Sequence, residues 1–228
     1  MKKPHLVVLT GAGISTESGL GTFRGAGGLW EGYDIMEVAS IEGWHNNPQK
    51  VLEFYNMRRA AALKAVPNVG HQTLAEMEAF FEVSIITQNV DTLHEMAGSS
   101  RVLHLHGRLD QARSSINPNL IQACPGDLNW GELHADGSQL RPHIVWFGEA
   151  VPEYENARII AQKADLFAVI GTSLQVYPAA GLVYEAPSHI PKFLIDPEPV
   201  PVTGLEALTV IHATANAGVP EMRRLLIE

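Results

Sequence analysis

The sequence predicts an α/β chain built on a doubly wound parallel sheet, with a smaller helical and irregular module inserted into it. Short apolar runs without polar alternation recur at 5–10, 83–87, 101–105, 143–147, 166–170, 192–195 and 207–211. A strand that reads apolar at every position is buried on both faces, as parallel strands are. Helical patterns fall between the runs, near 71–81, 153–163, 179–185 and 219–227, and such alternation builds doubly wound sheets. The first run also leads directly into a glycine-rich turn and a helix-like stretch, "VVLTGAGISTESGL", residues 7–20.

The bulk numbers bound the rest. At 228 residues, 46% hydrophobic and 18% charged, the chain can bury a large core as one domain with insertions. A formal charge of −9 argues against nucleic-acid backbone binding, which needs clustered Lys and Arg. That acidity suits a basic peptide partner, and it is also a common solubility device. The single cysteine, Cys124, excludes an internal disulfide and a multi-cysteine zinc site, and fits a reduced cytoplasmic compartment. The apolar run Leu6 to Leu9 is too short for a signal segment, and no stretch approaches a membrane span.

Taken in order, the first element is the strand 5–10. Gly11 and Gly13 follow it, but Thr16 stands where the third glycine of G-x-G-x-x-G would be. The two glycines let the backbone approach a pyrophosphate, and the next helix offers free N–H groups and its dipole. The acidic residue usual about 20 positions on is missing. Instead "GLGTFRGAGGLW" (19–30) forms a second glycine-rich loop with five glycines in residues 19–28, a lid rather than a core element.

Residues 32–66 interrupt the alternation. Asn47 and Pro48 open a helix as N-cap and first-turn proline, which runs on to stop before Pro67. Residues 109–141 are polar, rich in Pro, Gly and Asn, and weakly periodic. Both read as insertions at the sheet's carboxyl edge, where α/β ligand sites lie. The expected division is a discontinuous Rossmann-like unit of 1–31, 67–108 and 142–228, with 32–66 and 109–141 as the small domain.

Six blocks in order and spacing carry a family resemblance: "GAGIS" (11–15), "TFRG" (22–25), "TQNVDTLHEMAG" (87–98), "LHGRL" (105–109), "RPHIVWFGE" (141–149) and "GTSLQVYPA" (171–179). Together they resemble the sirtuin family. The resemblance implies an NAD-dependent protein-lysine deacylase, in which NAD is consumed at the nicotinamide–ribose bond and the acyl group leaves as O-acyl-ADP-ribose. Its partners would be NAD and acyl-lysine proteins or peptides, with no nucleic acid and no membrane.

By the same resemblance, His106 is the catalytic histidine and Asn89 acts with it. An imidazole titrating near neutrality suits a base that takes a proton from a ribose hydroxyl; as one of ten histidines, a packed or capping role is the plainer one. The implied cofactor contacts are Gly11, Ala12, Gly13, Ser15, Phe23, Arg24, Trp30, Gln88, Asn89, Val90, Asp91, Gly171, Thr172, Ser173, Asp196 and Ala215. Asp91 also suits an N-cap for "TLHEMA", and Gly171 to Ser173 would otherwise be an ordinary turn. Asp196 replaces the family's usual Asn, and its carboxylate can still accept from ribose hydroxyls. Val145, Phe147, Gly148 and Glu149 resemble the strand that pairs with the acyl-lysine peptide, a sheet-edge addition, or else form a plain aromatic strand.

Tyr55 and Arg58 share a face of the helix opened by Pro48. Their Tyr-x-x-Arg spacing resembles the subclass that removes succinyl, malonyl or glutaryl groups, and Thr22 in the lid agrees. A guanidinium can grip a carboxylate bidentately while a phenol adds one hydrogen bond. The ordinary alternative is a surface arginine paired with Glu53 or another carboxylate, and Arg59 is expected to face solvent. The family's four zinc cysteines are missing: Ser114 stands at the first position and "LHADG" replaces the second pair. No metal is expected, and the module should cohere through Ile116, Leu120, Ile121, Leu128 and Trp130.

Alternatives stay open: an NAD glycohydrolase or ADP-ribosyltransferase, and a non-catalytic NAD or ADP-ribose sensing module. A serine hydrolase is disfavoured, since no G-x-S-x-G elbow occurs.

Overall fold

A computed structural model describes residues 2–21, 29–30 and 32–227. Strand β1 (His5–Thr10) explains the missing polar alternation. Leu6 and Val8 enter one core while Val7 and Leu9 enter another, on the opposite face of the sheet. A 3-10 turn (Ala12–Ser18) follows, then the hairpin β2 (Leu29–Trp30) and β3 (Tyr33–Asp34). Helices α1 (Ile35–Val38), α2 (Ile41–Asn46) and α3 (Pro48–Ala62) come next. Asn47 accepts from the Lys50 amide at 3.1 Å, so the expected cap of α3 forms.

Helix α4 (Val69–Glu76) opens two residues before the expected 71, because Asn68 caps it by accepting from the Gly70 and His71 amides. His71 answers as the reciprocal acceptor, a residue type not read as a capping partner. The chain continues through β4 (Glu82–Thr87), α5 (Leu93–Met96), β5 (Val102–His104), β6 (Gly107–Ser114), β7 (Ile121–Ala123) and β8 (Leu140–Ile144). It ends with α6 (Tyr154–Ala161), β9 (Leu166–Ile170), α7 (Leu182–Glu185), β10 (Lys192–Ile195), β11 (Leu208–Ile211) and α8 (Ala215–Ile227).

Among the described residues the central sheet runs β11-β10-β9-β1-β4-β5, and every pairing in it is parallel. Read from β5 and numbered by chain order within this sheet, that is 3-2-1-4-5-6, the doubly wound dinucleotide-binding order. The order reverses between β1 and β9, so the ligand crevice belongs at their carboxyl ends. One face is covered by α4 and α8 through Leu74, Val219 and Met222, the other by α6 and α7 through Ala157, Leu182 and Val183. Among the described residues, no helix is long and apolar enough to cross a membrane.

The stretch expected to be irregular contains a small antiparallel sheet, β7-β6-β8. Its register was hidden because Arg113 and Ser114 are buried beside Ala112, so polarity did not alternate with exposure. The strand expected at 143–147 lies at β8 instead, paired with β6. Beyond Ile144 the chain leaves that ladder: Val145 N donates to His106 O and Phe147 N to Ala39 O, each at 2.9 Å.

The small sheet packs on α3 through Phe54, Tyr55, Leu109, Leu128, Leu140 and Trp146. Leu128 is therefore inside as expected, whereas Ile116, Ile121 and Trp130 are 74%, 44% and 54% exposed and leave cohesion to the α3 contact. Arg59, expected in solvent, is 2% exposed. Its Nε donates to Leu109 O at 2.6 Å and Nη1 to Asn56 Oδ1 at 2.8 Å, fastening α3 to β6.

Candidate active site

A cavity of about 590 Å³ opens at the carboxyl ends of β1, β4, β9 and β10, as the strand order requires. Its floor is interlocked backbone. Gly11 N donates to Ile170 O and Gly13 N to Gly171 O, at 3.0 and 2.8 Å. Gly171 sits at φ +61, and a Cβ there would stand 2.4 Å from Ile14 N, so only glycine closes this junction. Ala12 N has no protein acceptor among the described residues and lines the cavity. A turn that ties down its other amides and leaves one facing a cleft is suited to a phosphate.

The loop after β4 is held more tightly still. Asn89 Nδ2 donates to Gly11 O and to Ser15 Oγ, both at 3.1 Å, and Asn89 N donates to Thr87 Oγ1 at 3.0 Å. Ser15 Oγ in turn donates to Asp91 Oδ2, while Asp91 Oδ1 accepts from Leu93 N, each at 3.1 Å. The N-cap of α5 is Thr92, but Asp91, one residue before it, takes the helix's first amide and anchors the phosphate turn at once. Burial pushes its carboxyl up, against those two hydrogen bonds. Gln88 Nε2 reaches across to Thr172 Oγ1 at 3.1 Å.

His106 follows β5 and lines the same cavity. Its Nδ1 lies 3.1 Å from Gln88 O. A carbonyl only accepts, so Nδ1 carries the hydrogen and Nε2 holds the free lone pair. Burial pushes this imidazole below its ordinary value, with the Gln88 bond opposing. Gly107 is required beside it: at φ +83 a Cβ would stand 2.0 Å from His143 O.

Trp30, Tyr55 and Arg58 line another part of the wall. The Arg58 guanidinium lies 4.5 Å over the Trp30 ring, and Tyr55 Oη accepts from Trp146 Nε1 at 3.0 Å. Burial drives the Tyr55 phenol well above its usual range, so it stays neutral and can donate. Arg58 is 8% exposed, so it does not face solvent as a surface arginine would.

Val145, Phe147, Gly148 and Glu149 also line the cavity. Glu149 is already engaged: Arg141 reaches it at 2.7 and 2.9 Å, Arg113 at 3.2 and 3.3 Å, and Trp146 N at 2.9 Å. Burial would raise this carboxyl, but those arginines hold it below the usual range. Its visible task is to fold the 146–149 turn.

Of the other expected residues, Val90, Thr172, Ser173 and Asp196 line the cavity. Ala215 instead packs in the core at 4% exposure, and its neighbour Thr214 lines the wall. Thr22, Phe23 and Arg24 lie outside the described residues. Trp146 and Glu198 also line the cavity without having been singled out. Glu198 was signalled by spacing, since its amide caps Asp196 Oδ1 at 2.9 Å.

Where the resemblance implies zinc, the residues present make hydrogen bonds instead. Ser114 Oγ donates to Asp136 Oδ2 at 2.7 Å, lies 2.8 Å from Ser138 Oγ, and accepts from the Ile116 and Asn117 amides. A closed zinc site takes thiolate or imidazole ligands, and hydroxyls with one carboxylate do not supply that set.

The Sir2 family model matches residues 11–178. An NAD-dependent protein deacylase of Bacteroides thetaiotaomicron is 51% identical over 229 residues, covering 98% of each chain. Among solved structures, a Sir2 homologue in complex with NAD superposes with a TM-score of 0.87 at 37% identity, over 98% of this chain and 90% of the other. A Sir2 bound to an acetylated peptide superposes at 0.80 and 28% identity, over 99% and 95%.

Proposed function

The chain belongs to the Sir2 family and is an NAD-dependent protein deacylase, and from that premise we propose what its residues do and which acyl groups it takes. NAD supplies the ribose carbon that receives the acyl oxygen as nicotinamide leaves. The chain's part is to hold both reactants and move one proton. His106 is the base: with Nδ1–H spent on Gln88 O, Nε2 is the atom that draws a proton from a ribose hydroxyl. Asn89 orients the reacting ribose, and Asp91 and Ser15 keep its loop against the phosphate turn. Ala12 N and the Gly171–Ser173 loop take the pyrophosphate side, with Asp196 on a ribose.

The peptide lies along Val145–Gly148, the stretch folded by Glu149. We read 1–31, 67–108 and 142–228 as the nucleotide-binding unit, and 32–66 with 109–141 as the small domain that supplies the acyl channel. The small domain is proposed to work without zinc, and the protein to reside in the cytoplasm. The observation that carries the base assignment is the fixed tautomer of His106 beside Asn89 in one cavity.

The acyl channel favours dicarboxylic chains such as succinyl. Arg58 supplies a fixed charge and Tyr55 a neutral hydroxyl, both buried at the cavity wall, a pair suited to a carboxylate. The test is nicotinamide release from NAD with acetyl- and succinyl-lysine peptides. Arg58→Met should lower desuccinylation by roughly 10- to 100-fold, the range of a lost charged hydrogen bond, and barely alter deacetylation. Equal losses on both peptides refute the carboxylate preference.

A further inference from the structure

Asn89 has its polar groups accounted for in an unusual way. Both hydrogens of its amide are spent on Gly11 O and Ser15 Oγ, and its backbone N–H on Thr87 Oγ1. Its backbone carbonyl accepts from His104 Nδ1 at 3.0 Å. Among the described residues that leaves one polar function without a protein partner, the side-chain Oδ1 of a residue lining the cavity. Two of the four restraints, Gly11 and Ser15, come from the cavity wall and one from Thr87 at the end of β4. The fourth comes from behind that wall.

His104 is not a free ring. It ends β5, paired in register with Thr87, and only 8% of its side chain is exposed. Its Nε2 lies 2.8 Å from Glu95 Oε1, on the short helix that the Gln88–Asp91 loop runs into. Arg108 Nη1 stands 3.6 Å from the same carboxylate oxygen and is itself forked on Asp110 at 2.9 and 2.7 Å. The imidazole therefore faces a carbonyl on one side and a carboxylate on the other. Both only accept, and a hydrogen on Nδ1 serves the Asn89 carbonyl. The Glu95 contact at the far ring nitrogen fixes the ring's orientation toward the Asn89 carbonyl.

We propose that His104, braced by Glu95, is a positioning residue for the deacylation: it holds the Asn89 carbonyl so that Oδ1 stays aimed into the cavity. This rests on the role given to Asn89 above. His104 touches neither reactant and is absent from the cavity wall, so its loss misaligns the step rather than the binding. Small misplacements of this kind are costly, about 100-fold for roughly 1 Å.

The experiment is a double-mutant cycle on the full chain, read as kcat and as KM for the acyl peptide. His104→Leu keeps bulk without a donor and should lower kcat by roughly 10- to 100-fold with KM nearly unchanged. His104→Asn places an amide N–H near the lost Nδ1–H and should recover most of that loss. In an Asn89→Ala background, His104→Leu should have no further effect. Multiplying losses in the double variant, or an unchanged kcat in His104→Leu, overturns the positioning role. An unchanged kcat in Asn89→Ala overturns the reading of Asn89 itself and the proposal with it. Should His104→Leu not fold, Glu95→Gln carries the same cycle: a kcat loss that vanishes in the Asn89→Ala background supports the brace, and no loss refutes it.

Discussion

The Gln88 carbonyl decides which nitrogen of His106 is basic, and burial decides at what pH it is available. A base must be unprotonated, and desolvation disfavours the charged ring, so the working form persists to lower pH than in an ordinary histidine. The acid limb of kcat/KM is accordingly expected below pH 6.5, the unperturbed value from which burial lowers this group. A limb centred at or above pH 7 contradicts the assignment. That His106, Asn89 and Asp91 share one cavity was legible because their motif blocks are local. Arg59 and Glu149 were not: whether an arginine faces water or a carboxylate is consumed at home depends on Leu109, Arg113 and Arg141 from other strands, and no local pattern carries that.

Among the elements, the small sheet departs most from its sequence reading. Buried Ser114 and Arg113 on β6 disguised a strand as a loop, and of the apolar residues expected to cement it Ile116, Ile121 and Trp130 face outward while Leu128 is inside. What closes its loops is the Ser114 hydroxyl, which receives two backbone amides and meets Asp136. Ser114→Ala strands those amides and should cost about 1–3 kcal/mol, lowering Tm by about 2–4 °C per kcal/mol for a chain of this size. A chelator should leave Tm unchanged. The opposite pair of results, a neutral Ser114→Ala and a chelator-dependent melt, means that a metal holds the module.

For the whole molecule, the apolar runs identified a sheet buried on both faces, and the α/β class followed from that. The strand order did not. At the reversal between β1 and β9, Gly13 packs against Gly171, two residues far apart in the chain. The same compactness makes the fold acid-sensitive. Burial pushes His71 and His143 down to about 4 and His94 well below its ordinary value. Unfolding releases these rings to bind protons, so their contribution is complete above pH 6.5 and is lost as pH falls toward 4. Each can remove up to about 1.4 kcal/mol per pH unit, and Tm should fall steadily over that interval. A flat profile means that the rings are solvated.

The central claim, that bound NAD is broken at its ribose with His106 as the base, is tested most directly by product analysis. NAD is incubated with an acylated peptide, and the products are resolved by mass spectrometry. The account predicts one nicotinamide and one acyl-ADP-ribose for each lysine freed, all lost in His106→Ala. Free carboxylic acid released with NAD intact, or nicotinamide released equally without peptide, contradicts it.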